Sequence, residues 1–171
     1  MKPNEFVRWI YPQARELGEV SPVFVTAQAA LESGWGASAI GNNLFGITKG
    51  SSWTGPVRLV TTTEWFTRPD VRFKAPEEVL KVTLKGHNRY KYTVRRLFRD
   101  YATVADCLRD HLAILKKPGY ADAWPYRGDP RQYVRRIMDA RGSRYATSPS
   151  YVETMDKLFR MVERIVEEEG L

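Results

Sequence analysis

Glu32 is the residue from which a reaction can be argued. It stands in Ala27-Gln28-Ala29-Ala30-Leu31-Glu32-Ser33-Gly34-Trp35-Gly36, a run of small and apolar residues that ends in one carboxylate. A carboxyl group at the end of a buried helix, beside an indole and close backbone, is held in partly apolar surroundings. Such surroundings raise its pKa towards the range useful for a general acid at neutral pH. The plainer reading is an exposed Glu at a helix C-terminus, next to glycines that only turn the chain. Hydrolysis of a glycosidic bond needs an acid of this kind, and usually a second carboxylate as base, nucleophile or electrostatic stabiliser. Glu64 is the candidate for that second group, with a surface strand residue as its plainer reading. Glu77 and Glu78 compete more weakly, because Pro76-Glu77-Glu78 reads as the start of a helix or turn.

Other chemistries find little support. The single cysteine, Cys107, sits in an apolar helical pattern and reads as a buried thiol. His87 and His111 are not spaced as metal ligands, and no Gly-rich phosphate loop is present, so neither a metal site nor a cofactor is expected.

The elements that must position these carboxylates follow from punctuation and periodicity. Ser21-Pro22 opens a helix, with Ser as N-cap and Pro where its missing N–H costs nothing. That helix runs almost without charge to Glu32, so it is buried on most sides. Gly34 and Gly36 bracket Trp35 in a tight turn. Before it, Asn4–Leu17 carries a helical apolar stripe, kinked or restarted at Pro12. Residues 34–55 read as loop. Val57–Phe66 has the composition of a strand, and period two places Arg58, Val60, Thr62, Glu64 and Phe66 on one face. A second β region spans Val79–Val94, turning at Gly86-His87-Asn88. Three more helices follow. Thr103 and Asp106 cap the first, with Val104, Leu108, Leu112 and Leu115 inward. Asp129-Pro130 opens the second, with Tyr133, Val134, Ile137 and Met138 inward and Gly142 as its stop. Ser148-Pro149 opens the last, whose stripe runs from Val152 to Ile165 and whose Glu167-Glu168-Glu169 end opposes the helix dipole and is expected to fray. The fold class predicted is α+β, a single domain over residues 1–171 with a small basic β lobe over roughly 50–97.

With 171 residues and 43% hydrophobic content the chain can build a core. Five Trp and nine Tyr are generous for this length; aromatics in excess of core needs often line sugar-binding or other ring-stacking grooves, and the plainer reading is that they are core. The net charge of +7 implies an anionic partner: nucleic acid, a membrane surface or an acidic wall polymer. No nucleic-acid motif accompanies the charge, so a nucleic-acid partner is not expected. No run is long enough for a membrane span.

The motif around Glu32, followed by Asn43-Leu44-Phe45-Gly46-Ile47, resembles the signature of the glucosaminidase domain of glycoside hydrolase family 73. Trp53-Thr54-Gly55-Pro56 and Thr61-Thr62-Thr63-Glu64-Trp65 are similar to the family's β-lobe motif. Phe98-Arg99-Asp100-Tyr101 resembles its helix entry, Tyr120-Ala121 fits the loop that follows, and Gly142–Tyr151 resembles its Gly-Tyr-Ala-Thr segment. These motifs occur in the family's order over nearly the whole chain. The resemblance implies a lysozyme-like helical lobe with a small inserted β lobe, and endo-β-N-acetylglucosaminidase activity on the glycan strands of peptidoglycan. It places Glu32 as general acid and Glu64 as second carboxylate, with a role that varies within the family. Tyr145 and Tyr151 fall on its aromatic positions, where a ring can stack on a sugar or its hydroxyl can face a developing oxocarbenium centre; the alternative is a packed ring. Trp35, Phe45 and Asn43 belong to the same substrate side, the two rings as walls around Glu32. One departure stands out: the segment between Glu64 and Phe98 is longer than the family's and carries nine Lys and Arg, either extending the lobe over the glycan or forming a solvated hairpin.

Met1–Phe6 has no apolar leader, so the chain is expected to be made in the cytoplasm and to act on the wall as a monomeric phage or prophage endolysin released through a holin. A detached bacterial autolysin domain is the competing origin, and a muramidase or lytic transglycosylase on the same polymer, or a glycan-binding module without activity, are the competing functions.

Overall fold

The structure is a computed structural model and describes residues 1–141 and 150–171. Gly142, Tyr145, Ser148 and Pro149, named above, lie outside the described residues. The chain forms two compact units, Met1–Phe45 with Ala102–Leu171, and Gly46–Tyr101.

The first unit is helical. Its centre is α2 (Pro22–Ser33), where every residue from Phe24 to Ala30 is buried. Ser21 caps it as predicted, its hydroxyl accepting from the Phe24 N–H at 3.3 Å. Around α2 pack α1 (Pro3–Leu17), α4 (Pro130–Arg141) and α5 (Tyr151–Glu169), and α3 (Val104–Leu115) packs on α1. Phe24 meets Tyr133 of α4 at 4.9 Å and Phe159 of α5 at 6.3 Å between ring centroids. Each fully buried ring of this kind stabilises the fold by about 1.5–3 kcal/mol, more than any propensity difference along the helix.

Several expectations need correction. α1 runs through Pro12 without restarting. Pro12 removes a hydrogen bond from the carbonyl of Arg8, and Arg8 is exposed, so water can take the bond's place. α5 does not end loosely: it reaches Glu169, and Gly170 in the left-handed region donates back to Val166 and Glu167. Met138 is half-buried while Tyr133, Val134 and Ile137 are fully inward. Thr103 and Asp106 cap α3 as expected, at 3.1 Å from the Asp106 N–H to the Thr103 hydroxyl. Cys107 is fully buried, and burial pushes its thiol up to about 11.

The second unit is an antiparallel sheet of β1 (Val57–Phe66), β2 (Glu78–Gly86) and β3 (Arg89–Arg99), in the order β1-β3-β2. β2 and β3 form a hairpin through His87-Asn88, with Asn88 at φ +47°. Pairing places Glu64 opposite Tyr92 and Val60 opposite Arg96. Glu78 opens β2 rather than a helix, and Ala75-Pro76 form the turn that is the other half of that expectation, with the Glu77 N–H donating to the Lys74 carbonyl at 3.1 Å. Tyr92 and Val94 of the central strand are wholly buried. Gly55 is needed where it stands: a Cβ there would lie 2.5 Å from the Trp53 ring, whose indole N–H bonds the Pro56 carbonyl.

In the helical unit Arg131 of α4 grips Glu163 of α5 with two hydrogen bonds of 2.8 Å. The guanidinium holds the Glu163 carboxyl below its ordinary range. A carboxylate depressed in the folded state stabilises above its unfolded value and loses that contribution as pH falls. Arg131→Gln is therefore expected to cost about 0.5–1 kcal/mol near pH 7, the pair being partly exposed. In urea unfolding the difference from the parent should fade as the pH drops below about 4, the ordinary Glu range.

Candidate active site

Glu32 occupies the last turn of α2, where the helix leaves the core. Its side chain is exposed, whereas Ser33 beside it is 1% exposed. Among the described residues α2 buries its body and presents Glu32 to the outside, in place of the apolar enclosure anticipated for it.

What the local structure supplies is a rigid mount. Gly34 caps the helix at φ +55°, and Trp35 and Gly36 follow at φ +57° and +84°. Three successive left-handed residues include a bulky one, a conformation that costs on the order of 1–3 kcal/mol and persists only when its surroundings impose it. Here the surroundings are visible. The Trp35 N–H donates to Ala30 at 2.8 Å, and the Ser38 N–H to the Ser33 carbonyl at 2.8 Å. The Ser33 hydroxyl donates to the Ala29 carbonyl at 2.6 Å and accepts from the Gly36 N–H at 2.9 Å. The Trp35 ring stands edge-on to Phe6 of α1, 5.7 Å between centroids. Ser33 pins the turn that follows Glu32; in the sequence, a buried hydroxyl with two backbone partners has no signature beyond Glu-Ser-Gly.

The following loop is held as firmly. Ile40 and Asn43 exchange backbone hydrogen bonds of 3.2 and 3.0 Å, and Asn43 is 1% exposed. Phe45 stacks on the His111 imidazole of α3 at 3.8 Å and 7°. So Trp35 and Phe45, both expected as walls, are anchored by different partners, Phe6 and His111. Tyr151 is half-buried at the first position of α5, and Tyr145 lies outside the described residues.

Glu64 belongs to the sheet unit. It shares its half-buried face with Val60, Thr62 and Phe66, as period two predicts. Arg96, from the same face of β3, donates to Glu64 at 2.6 Å and to Glu77 at 2.5 Å. The Leu97 N–H also reaches Glu77, at 3.0 Å. Phe73 lies against the Arg96 guanidinium at 4.5 Å. The segment after β1 folds over this face, tied down by the Tyr92 hydroxyl, which donates to the Arg68 carbonyl at 2.6 Å. Glu64 is therefore one arm of a carboxylate–guanidinium–carboxylate clamp. In the sequence Arg96 reads as one more cation in a basic stretch until the strand register is known. Among the described residues no group of three or more His, Cys, Asp or Glu is placed to hold a metal ion.

With this geometry in hand, comparison is informative. The family described as mannosyl-glycoprotein endo-beta-N-acetylglucosaminidase, or glucosaminidase, matches residues 9–164. The chain belongs to the glucosaminidase family. The peptidoglycan hydrolase FlgJ of Vibrio parahaemolyticus is 30% identical over 95% of the chain, which spans 47% of that relative. The glycoside hydrolase domain of FlgJ from Salmonella typhimurium superposes with a TM-score of 0.71 at 26% identity, covering 99% of this chain and 94% of that one. A peptidoglycan hydrolase mutant from Sphingomonas sp. A1 gives 0.68 at 27% identity, covering 96% and 99%. The α+β fold with its small antiparallel sheet is thus that of glucosaminidase-family glycoside hydrolase domains.

Within this glucosaminidase-family domain the two mounts can be tested separately. Ser33→Ala should lower stability by about 1 kcal/mol, because it strips the part-buried Gly36 N–H of its acceptor. Activity should fall more than the thermal shift explains, since the Glu32 turn loses its pin. Arg96→Met should cost about 1–3 kcal/mol, as two part-buried carboxylates lose their common cation. The double variant Arg96→Met/Glu77→Gln should recover part of that loss in denaturant titrations.

Proposed function

We propose that this chain, a glycoside hydrolase by family and fold, is a peptidoglycan hydrolase that cuts the glycan strand as an endo-β-N-acetylglucosaminidase. The observation that carries the reading is the mount of Glu32: one carboxylate held outside a buried helix by a strained, fully hydrogen-bonded turn. A carboxyl group fixed in this way can be pre-aimed at a glycosidic oxygen, and orientation is a large part of acid catalysis.

In this reading Glu32 protonates the leaving oxygen. Because Glu32 is exposed, the bound glycan itself excludes water from the carboxyl group as the complex forms. Glu64, gripped by Arg96, is the second carboxylate; its ionised form opposes the positive charge that develops at the anomeric carbon. Tyr151 and Tyr145 offer ring faces or hydroxyls to the sugars. Trp35, Phe45 and Asn43 form the wall and floor beside Glu32. The curated relatives compared are longer than this chain, and FlgJ of Vibrio parahaemolyticus is about twice its length, so the proposal concerns the hydrolytic domain. A role as a holin-released endolysin is a further proposal, and lysis by this chain in a cell without a pore-former would count against it.

A rival cut in the same polymer by a transglycosylase draws on the Glu-Ser pair. The Ser33 hydroxyl, however, is spent on Ala29 and Gly36, which favours hydrolysis led by Glu32. Mass spectrometry of borohydride-reduced fragments from purified peptidoglycan decides. Reduced N-acetylglucosamine at the new ends is expected, with Glu32→Gln slower by about 100-fold to 10,000-fold. Glu64→Gln should lose less than Glu32→Gln if the second carboxylate acts by electrostatics alone. Reduced muramic acid or 1,6-anhydro ends would replace the reading with a muramidase or a transglycosylase.

A further inference from the structure

The chain's charge is divided unequally. Of 27 Lys and Arg and 20 Asp and Glu, the sheet unit Gly46–Tyr101 holds twelve and five, so it carries the whole net charge of +7 and the helical unit is neutral. Within the sheet unit every carboxylate is already paired with an arginine: Asp100 with Arg58, Asp70 with Arg68, Glu78 with Arg95, and Glu64 and Glu77 with Arg96. Its lysines pair with no carboxylate among the described residues.

The register gathers three unpaired cations on the face opposite Glu64. Across the sheet, Trp65 of β1, Lys91 of β3 and Thr83 of β2 form one row, and Thr63, Thr93 and Lys81 form the next. Arg89 lies on the same face two residues from Lys91, its guanidinium 4.3 Å from the Trp65 ring. Lys81 and Lys91 are diagonal neighbours, and Lys91 and Arg89 alternate residues, so the three form a line with steps of about 7 Å. Threonines 61, 63, 83 and 93 surround them, and Trp65 is 47% exposed at the edge.

We infer that this outer sheet face is a second binding surface, and that its occupant is a linear polyanion of phosphodiester-linked polyol units. Three cations in a row offer successive phosphates of a linear chain one partner each. Threonine hydroxyls offer hydrogen bonds to the intervening polyol, and the indole offers an apolar plane for its C–H groups. A membrane surface is the poorer fit, because the middle of the face is threonine and lysine rather than apolar. Single-stranded nucleic acid is also poorer, since it calls for a series of stacking rings and this face has Trp65 alone. The choice of a wall polymer rests on the reading of the chain as a peptidoglycan hydrolase; the affinity of the face for polyanions does not.

The test uses the full chain with three probes at equal phosphate: poly(glycerol phosphate), vesicles of anionic phospholipid, and a single-stranded oligonucleotide. Lys81→Gln/Arg89→Gln/Lys91→Gln is compared with Arg15→Gln/Lys117→Gln/Arg160→Gln, which removes three exposed cations from the helical unit. Binding to poly(glycerol phosphate) should be strongest of the three and should fall at least about tenfold in the sheet variant only. Its log–log salt slope should shrink by about 2, the value for three lost phosphate contacts on a single strand. Lys81→Arg/Lys91→Arg should bind like the parent, which guards against a folding defect. Hydrolysis of polyanion-free peptidoglycan should be unchanged in the sheet variant. Equal loss in both triple variants, no loss in either, or preference for vesicles or oligonucleotide would overturn the inference. So would loss of hydrolysis on the polyanion-free substrate. A parent that binds the polymer but cuts no peptidoglycan would sink the hydrolase reading and leave the binding face standing.

Discussion

The burial of α2 is the constraint on which the rest of the helical unit depends. A helix with no charge before Glu32 cannot stand in water, so α1, α4 and α5 close around it with Phe6, Tyr133 and Phe159. Once its body is fixed, the end of α2 is fixed as well. The chain must then leave a packed environment within one turn, which it does through consecutive left-handed residues at Gly34, Trp35 and Gly36. The strain there is offset by hydrogen bonds from Ser33 and by the Trp35–Phe6 contact. The turn that follows this exposed carboxylate is held by the backbone and Ser33 hydrogen bonds that link Ala29 to Ser38.

The sheet unit reaches rigidity by another route. Its apolar core is small, centred on Tyr92, Val94 and Phe98, and the face that carries Glu64 is closed by polar linkage. Arg96 joins β1 to the segment before β2 through two carboxylates, and the Tyr92 hydroxyl joins β3 to the chain after β1. A planar guanidinium can serve two acids with defined geometry, which a lysine cannot. A half-buried carboxylate in such a clamp stays where it is aimed. That property suits an electrostatic partner in catalysis better than a group that must move to attack.

What the sequence made legible was the part governed by local chemistry. Ser21-Pro22, Thr103, Asp129 and the period-two face of β1 all act within a few residues, and each appears where predicted. The family emerged from motifs that are themselves local. What remained hidden was set by distant partners. Pro12 is tolerated because Arg8 faces solvent. Glu32 is exposed because α2 ends at the surface of its unit. Glu64 is clamped because a residue 32 positions later shares its face. Glu78 begins a strand directly after the Ala75-Pro76 turn because β3 supplies the ladder. Each of these needed the strand register or the helix packing, neither of which periodicity alone supplies.

The distribution of cations separates structure from surface. In the sheet unit, arginines take all five carboxylates, and their forked donors bind two elements together. Lysines take none, although several lie on the same strands. An ammonium is compact and strongly hydrated, so leaving it in solvent costs little and using it as a clamp gains little. The surplus positive charge still opposes compaction of a small sheet through self-repulsion. A domain selected for stability alone would lower that charge by exchanging a few lysines for neutral residues, with no loss of packing. Three of those cations, Lys81, Arg89 and Lys91, share one face with threonines and an open indole, where a bound anion would relieve their mutual repulsion.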